Sequence, residues 1–181
     1  MKWILCFVVV FFANCIISYR DFPQAPPSPS LEKKSDAVFF YMLPTFPQLN
    51  LGGREALKEF FDNKTPFRKT QEGNEVPKSG YLVNVKVNYR SPSKSAVVFL
   101  GLSTITATIL PAWSNQDGYD LEYILYKNGT QVSSFQYHIY RNYYQWLPIA
   151  LASWYNLQTA SEREVFERIT AKFFEDARAN F

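Results

Sequence analysis

The sequence predicts an α+β fold: a mixed or antiparallel sheet of about four to five strands, helices packed on it, and two apolar inserts. Three stretches carry that expectation. "YLVNVKVNYR", residues 81–90, alternates strictly, with Tyr81, Val83, Val85, Val87 and Tyr89 one way and Asn84, Lys86, Asn88 and Arg90 the other, which is the period of a half-buried strand. "YDLEYILYKNGTQVSSFQYHIYR", residues 119–141, is two strand-like runs joined by Asn128–Gly129, the dipeptide that favours a tight hairpin turn. "SEREVFERITAKFFEDARANF", residues 161–181, opens with a capping box from Ser161 to Glu164 and places Val165, Phe166, Ile169 and Phe173 on one helical stripe. A favourable i,i+4 pair is expected between Glu164 and Arg168.

The remaining elements follow in chain order. "AVFFYML", from Ala37, is a continuous apolar run closed by Pro44, as suits a strand covered on both faces. "GGREALKEFFDN" sets Ala56, Leu57, Phe60 and Phe61 on one side of a short helix that stops before Pro66. A weak strand follows around residues 67–71. Strands are therefore expected near residues 37–43, 81–90, 119–126 and 131–140, and helices near 53–62 and 161–178. The hairpin has a register conflict. A simple two-residue turn would point Phe135, Tyr137 and Ile139 away from the face that Leu121 and Tyr123 occupy. One extra residue, expected at Ser133–Ser134, would repair it as a β-bulge.

Length and composition narrow the function classes. A chain of 181 residues suits one domain with a real core, and 18% aromatic residues favour a sheet over a helical bundle. The net charge of +3 is mild and spread along the chain, with no basic tract interleaved with aromatics, which argues against nucleic acid as a partner. Both cysteines, Cys6 and Cys15, lie at the start, and His138 is the one histidine, so the usual zinc ligand sets are missing. No G-x-S-x-G, H-E-x-x-H or phosphate-binding glycine loop occurs. Asp117, Asp120 and Glu122 sit close together, but their spacing is not that of a calcium loop and reads as a turn into a strand. No catalytic residue, metal or cofactor is expected, and the chain does not read as an enzyme.

"WILCFVVVFFANC", residues 3–15, bears on location. Lys2 and the run Trp3–Ala13 have the layout of a secretory signal, and even the fifteen residues from Trp3 to Ile17, fourteen of them apolar, fall short of the ~20 that a bilayer-spanning helix needs. The readings are a lipoprotein leader, a short uncleaved anchor and a plain secretory signal, the first being favoured. "FFANC" resembles a bacterial lipobox of the relaxed kind found in spirochaete lipoproteins, with Phe12 and Asn14 as departures from the usual pattern. That resemblance implies cleavage before Cys15 and acylation of Cys15 by chains such as palmitate. It gives a signal peptide over 1–14, a lipidated proline-rich tether over 15–35 and a single α+β domain over 36–181. The element order is similar to the amino-terminal domains of TolB-like and CsgG-like envelope proteins, which implies a fold and a compartment but no activity. The compartment expected is the bacterial cell envelope, outer membrane before inner. The function expected is that of a lipid-anchored binding or assembly component, whose partners are membrane lipid through Cys15 and other envelope proteins.

The two apolar inserts, residues 95–114 and 142–156, carry no charged side chain. Trp113, Trp146 and Trp154 stand at their ends, as aromatic residues do at membrane–water boundaries. One reading makes Trp113, Trp146, Leu147, Ile149 and Trp154 a lipid or partner contact, as in a membrane-held component of a transport or channel assembly. The other packs both segments into the core. Length and periodicity do not separate the two.

Overall fold

The structure, a computed structural model, describes residues 15–24, 35–44, 51–73 and 75–181. The expected signal peptide and residues 25–34 of the proline-rich stretch lie outside the described residues. Among the described residues there are six strands: β1 (Cys15–Arg20), β2 (Ser35–Met42), β3 (Phe67–Glu72), β4 (Tyr81–Arg90), β5 (Ala112–Lys127) and β6 (Thr130–Gln145). Three α-helices accompany them, α1 (Gly53–Asn63), α2 (Lys94–Ile105) and α3 (Glu162–Asp176), with 3-10 helices at Leu147–Leu157 and Arg178–Asn180. The strand order is β1-β6-β5-β4-β2-β3. β2 pairs parallel with β3 and with β4, whereas β1 pairs antiparallel with β6. The fold is α+β with a mixed sheet, one strand larger than the sequence suggested.

Contacts divide the chain into two units, and β5 and β6 contribute residues to both. One unit comprises residues 22–89, 120–138 and 162–181. Its core is aromatic. Phe39 stacks on Phe67 at 4.6 Å and on Phe61 at 6.0 Å, and Tyr123 stacks on Phe173 at 4.7 Å. Val83, Val85 and Val87 are buried as their alternation requires. Ala56, Leu57, Phe60 and Phe61 form the buried side of α1, and Val165, Phe166, Ile169 and Phe173 that of α3. Each such Phe, withdrawn from water, contributes roughly 1.5–3 kcal/mol. Glu162, at the first turn of α3, accepts from the Leu51 and Gly53 amides at 2.9 and 3.2 Å. A buried carboxylate thus satisfies the open N–H groups at the start of α1. Arg168 donates to the Gln24 carbonyl at 2.7 Å.

The hairpin behaves as its register conflict demanded. Asn128 and Gly129 take left-handed φ values of 50° and 83°, and Asn128 exchanges bonds with the Gly80 backbone. Tyr123 meets Tyr137 edge-on, and Phe135 meets Phe173. Leu121, Tyr123 and Leu125 of β5 therefore share a face with Phe135 and Tyr137 of β6. After a two-residue turn, that arrangement requires one extra residue between the turn and this pair.

The other unit comprises residues 15–21 of the described chain together with 90–119 and 139–161. Here the structure departs from the sequence reading. Residues 15–20, expected as the start of a tether, are strand β1, in register with β6 from Cys15↔Gln145 to Arg20↔Tyr140. β6 reaches Gln145, five residues past its expected end, and so offers β1 a partner edge. Both expected inserts also shrink. Residues 112–114 belong to β5 and 142–145 to β6, and what remains is α2 with its following turn and the 3-10 helix Leu147–Leu157.

Candidate functional site

The unit that holds α2 is built with its polarity inverted. Its buried residues include Ser103, Thr108, Ser114, Asp117 and Arg141, alongside Ala112, Tyr119 and Ile139. Its large apolar residues are outside: Ile105 is 83% exposed, Leu151 89% and Leu157 88%. Val97, Val98, Phe99, Leu102, Ile109 and Leu110 are exposed as well. Single exposed apolar residues are ordinary, but a contiguous run of them marks a surface that meets something other than water.

α2 carries most of this surface. Ser93 caps it by accepting from the Ala96 amide at 3.2 Å, and among its residues Ser103 is the buried one. It is apolar nearly all round, a pattern ordinarily found in helices enclosed by protein or lipid. After Ile105 the chain turns through two left-handed residues, Ala107 and Thr108. The 3-10 helix follows β6 and meets that turn directly. Leu147 donates its amide to the Thr108 carbonyl at 2.7 Å, and Trp146 Nε1 donates to the Ile109 carbonyl at 3.1 Å. The two apolar segments are thus joined side by side.

Polar side chains of the 3-10 region face inward onto β1. Asn156 Oδ1 accepts from the Ile17 amide at 2.9 Å, Asn156 Nδ2 donates to the Cys15 carbonyl at 2.7 Å, and Thr159 Oγ1 donates to the Ile17 carbonyl at 3.0 Å. Side chains here take the place of a further strand, so the outer edge of β1 is closed. Trp154, Tyr155 and Leu157 remain exposed.

A polar network holds the base of this surface. Arg141 Nε donates to Asp117 Oδ2 at 2.6 Å, and Ser114 Oγ donates to Asp117 Oδ1 at 2.7 Å, all three residues being buried. Arg90 donates to the Gln116 and Ile139 carbonyls at 3.0 Å each and lies 4.1 Å from the Tyr140 ring centroid. Arg20 approaches the same ring at 5.0 Å. Gly118, at φ 150°, lies so close to β6 that a methyl group there would overlap the Ile139 carbonyl oxygen.

Of the residues singled out from the sequence, Trp113, Trp146, Leu147 and Trp154 are exposed and Ile149 is half-buried. Cys15 is half-buried at the head of β1, and burial raises its thiol pKa, offset in part by a hydrogen bond with Tyr143. The three clustered acids each have their own partner: Asp117 has Arg141, Asp120 has His138 at 2.8 Å, and Glu122 has Lys86 at 3.1 Å. Among the described residues no group of three His, Cys, Asp or Glu side chains is placed to hold a metal ion. A small pocket of about 170 Å³, lined by Ser93, Phe99, Trp113 and Ser114 among others, opens beside the start of α2. It is smaller than the ~300–1,000 Å³ of drug-sized ligand sites. Sequence reasoning missed Ile105, Leu151 and Leu157, the most exposed apolar residues of all. A signal was there in the lack of any charged residue from Ser95 to Gln116 and from Asn142 to Ser161.

No protein-family model and no curated protein matches the chain. Among solved structures, a dodecamer of a PelC variant from Paraburkholderia phytofirmans is similar over 86% of this chain and 96% of its own, at 9% identity and a TM-score of 0.31. That likeness is too slight to bear on fold or function.

Proposed function

We propose that the protein is a lipid-anchored component of a bacterial cell envelope, acylated at Cys15, with a binding or assembly role rather than a catalytic one. The observation that supports this most is the position of Cys15. Through Asn156 it is bonded to the same 3-10 helix that exposes Leu151, Trp154 and Leu157. An anchor at Cys15 would leave no slack between itself and the exposed apolar residues, and would hold that face against the membrane. Two or three acyl chains, at roughly 0.8 kcal/mol per buried CH₂, suffice for such an anchor without a span. No helix among the described residues is long and apolar enough to cross a membrane.

The test is the intact mass of the N-terminal peptide from membrane-extracted protein. The proposal expects a chain that begins at Cys15 and carries acyl groups. A chain that begins at Met1, or a free Cys15 thiol in the mature form, would overturn it.

A further inference from the structure

We infer that the turn after α2, residues 105–110, together with Trp146 and Leu147, enters the acyl region of a lipid bilayer itself, as a second membrane contact that belongs to the protein. This deepens the membrane reading above, on which it rests, but it does not require acylation.

In a hydrocarbon medium every backbone donor and acceptor must find a partner within the protein, because no water is there to supply one. Helix C-termini ordinarily leave their last carbonyls open. Here three of them, at Leu102, Ser103 and Thr104, are closed. The Leu102 carbonyl accepts from the Thr106 amide and hydroxyl, Ser103 from the Thr108 amide and the Thr106 hydroxyl, and Thr104 from the Ala107 amide. Beyond the helix, Thr106 accepts from the Ile109 amide, Thr108 from Leu147, and Ile109 from the Trp146 indole. The buried Ser103 hydroxyl finds no partner, whereas the Thr104 hydroxyl donates back to the Leu100 carbonyl at 2.9 Å. This back-bonding is how Ser and Thr are carried by helices in membranes.

A surface meant for water, or for the polar rim of a protein interface, would present free donors, acceptors and charges. This one presents Ile105, at 83% exposure, over a turn in which every backbone amide from Thr106 to Leu110 is already bonded. Length sets the depth. Twelve residues make α2 about 18 Å long, short of the ~30 Å hydrocarbon core, so the segment enters the bilayer without crossing it. The place where the chain enters this unit favours lipid over a second copy. The eleven apolar residues Trp3–Ala13 join the described chain at Cys15, whose carbonyl is bonded to Asn156 of the same surface. A leader retained there, or acyl chains replacing it, would place a membrane anchor at the edge of this surface; a plain secretory signal would not.

The test uses the full chain with Cys6→Ser and Cys15→Ser, so that no acylation occurs, and a single Cys at Ile105→Cys carrying an environment-sensitive dye. A control carries the dye at Glu175→Cys, an exposed position of α3. Vesicles of phosphatidylethanolamine and phosphatidylglycerol are added, with and without bromine on the acyl chains. The inference expects a blue shift and severalfold brightening at position 105, abolished by brominated chains, with no change at position 175. A dye at 105 that stays in water while the protein sediments with vesicles would overturn the inference and leave the anchor reading standing. A dye already shielded without vesicles, in a concentration-dependent way, would overturn it in favour of a second copy. Acylation has its own readout, the N-terminal mass.

Discussion

Asn156 Nδ2 donates to the Cys15 carbonyl at 2.7 Å while the Oδ1 of the same amide accepts from Ile17 at 2.9 Å. One side chain does for β1 what a neighbouring strand would do. Asn156→Ala removes both bonds and leaves two half-buried backbone groups open, at a cost of about 1 kcal/mol each. Hydrogen exchange at the Ile17 amide should quicken in this variant, while the amides of α3 keep their protection.

Asp117 and Arg141 form a buried ion pair with Ser114 as third member. Asp117→Ala strands a buried guanidinium and should destabilise by about 3–5 kcal/mol. Asp117→Leu combined with Arg141→Met removes both charges, and should recover much of that loss. Urea denaturation of the single and double variants measures the difference.

Gly118→Ala sets a methyl against the Ile139 carbonyl at a φ of 150° that side chains disfavour. The loss should exceed ~1 kcal/mol. Gly101→Ala is the matched comparison. Nothing lies within 4 Å of a methyl placed there, and alanine is worth roughly 0.5–1 kcal/mol over glycine inside a helix. Gly101→Ala should raise the melting temperature and Gly118→Ala lower it.

Alkaline pH should unfold the protein through its tyrosines. Burial raises the pKa of Tyr123, an effect that its bond with Thr170 offsets in part. Burial and then the Asp176 carboxylate raise Tyr137. Tyr143 is pushed up to about 12, above all by burial. In the unfolded chain these phenols would ionise near pH 10. Folded values above the unfolded ones mean that their contribution is complete below about pH 10, and is lost as pH climbs from there through the folded values. Phenolate absorbance should show a late-titrating class of tyrosines that disappears in urea, with folding stability falling over the same range.

Much of this architecture was legible in the residues. The alternation at Val83, Val85 and Val87, the stripes of α1 and α3 and the Asn128–Gly129 turn all rest on apolar periodicity, which reports which side faces a core. The first half of β5 and the end of β6 were hidden for the converse reason. Their inner positions are held by Ser114, Asp117 and Arg141, so a periodicity of apolar residues had nothing to read. β1 was obscured because Ile16 and Ile17 extend the apolar leader and were taken up by it. The exposed surface was half legible. The tryptophans at the ends of the charge-free segments drew notice, but exposure of Ile105, Leu151 and Leu157 depends on Ser103, Asn156 and Thr159 facing inward. That is a tertiary arrangement, without a local signature.

The face bearing α2 and the 3-10 helix is the centre of this account, and its own tryptophans report on it. Of the four tryptophans in the chain, Trp113, Trp146 and Trp154 are exposed on it, and Trp3→Phe removes the other. The fluorescence of that variant should be quenched by aqueous iodide when vesicles are absent. With vesicles it should shift to the blue, lose its sensitivity to iodide and become quenched by brominated acyl chains. Continued quenching by iodide from protein that is bound to vesicles would show that this face points into water, contradicting the account at its centre.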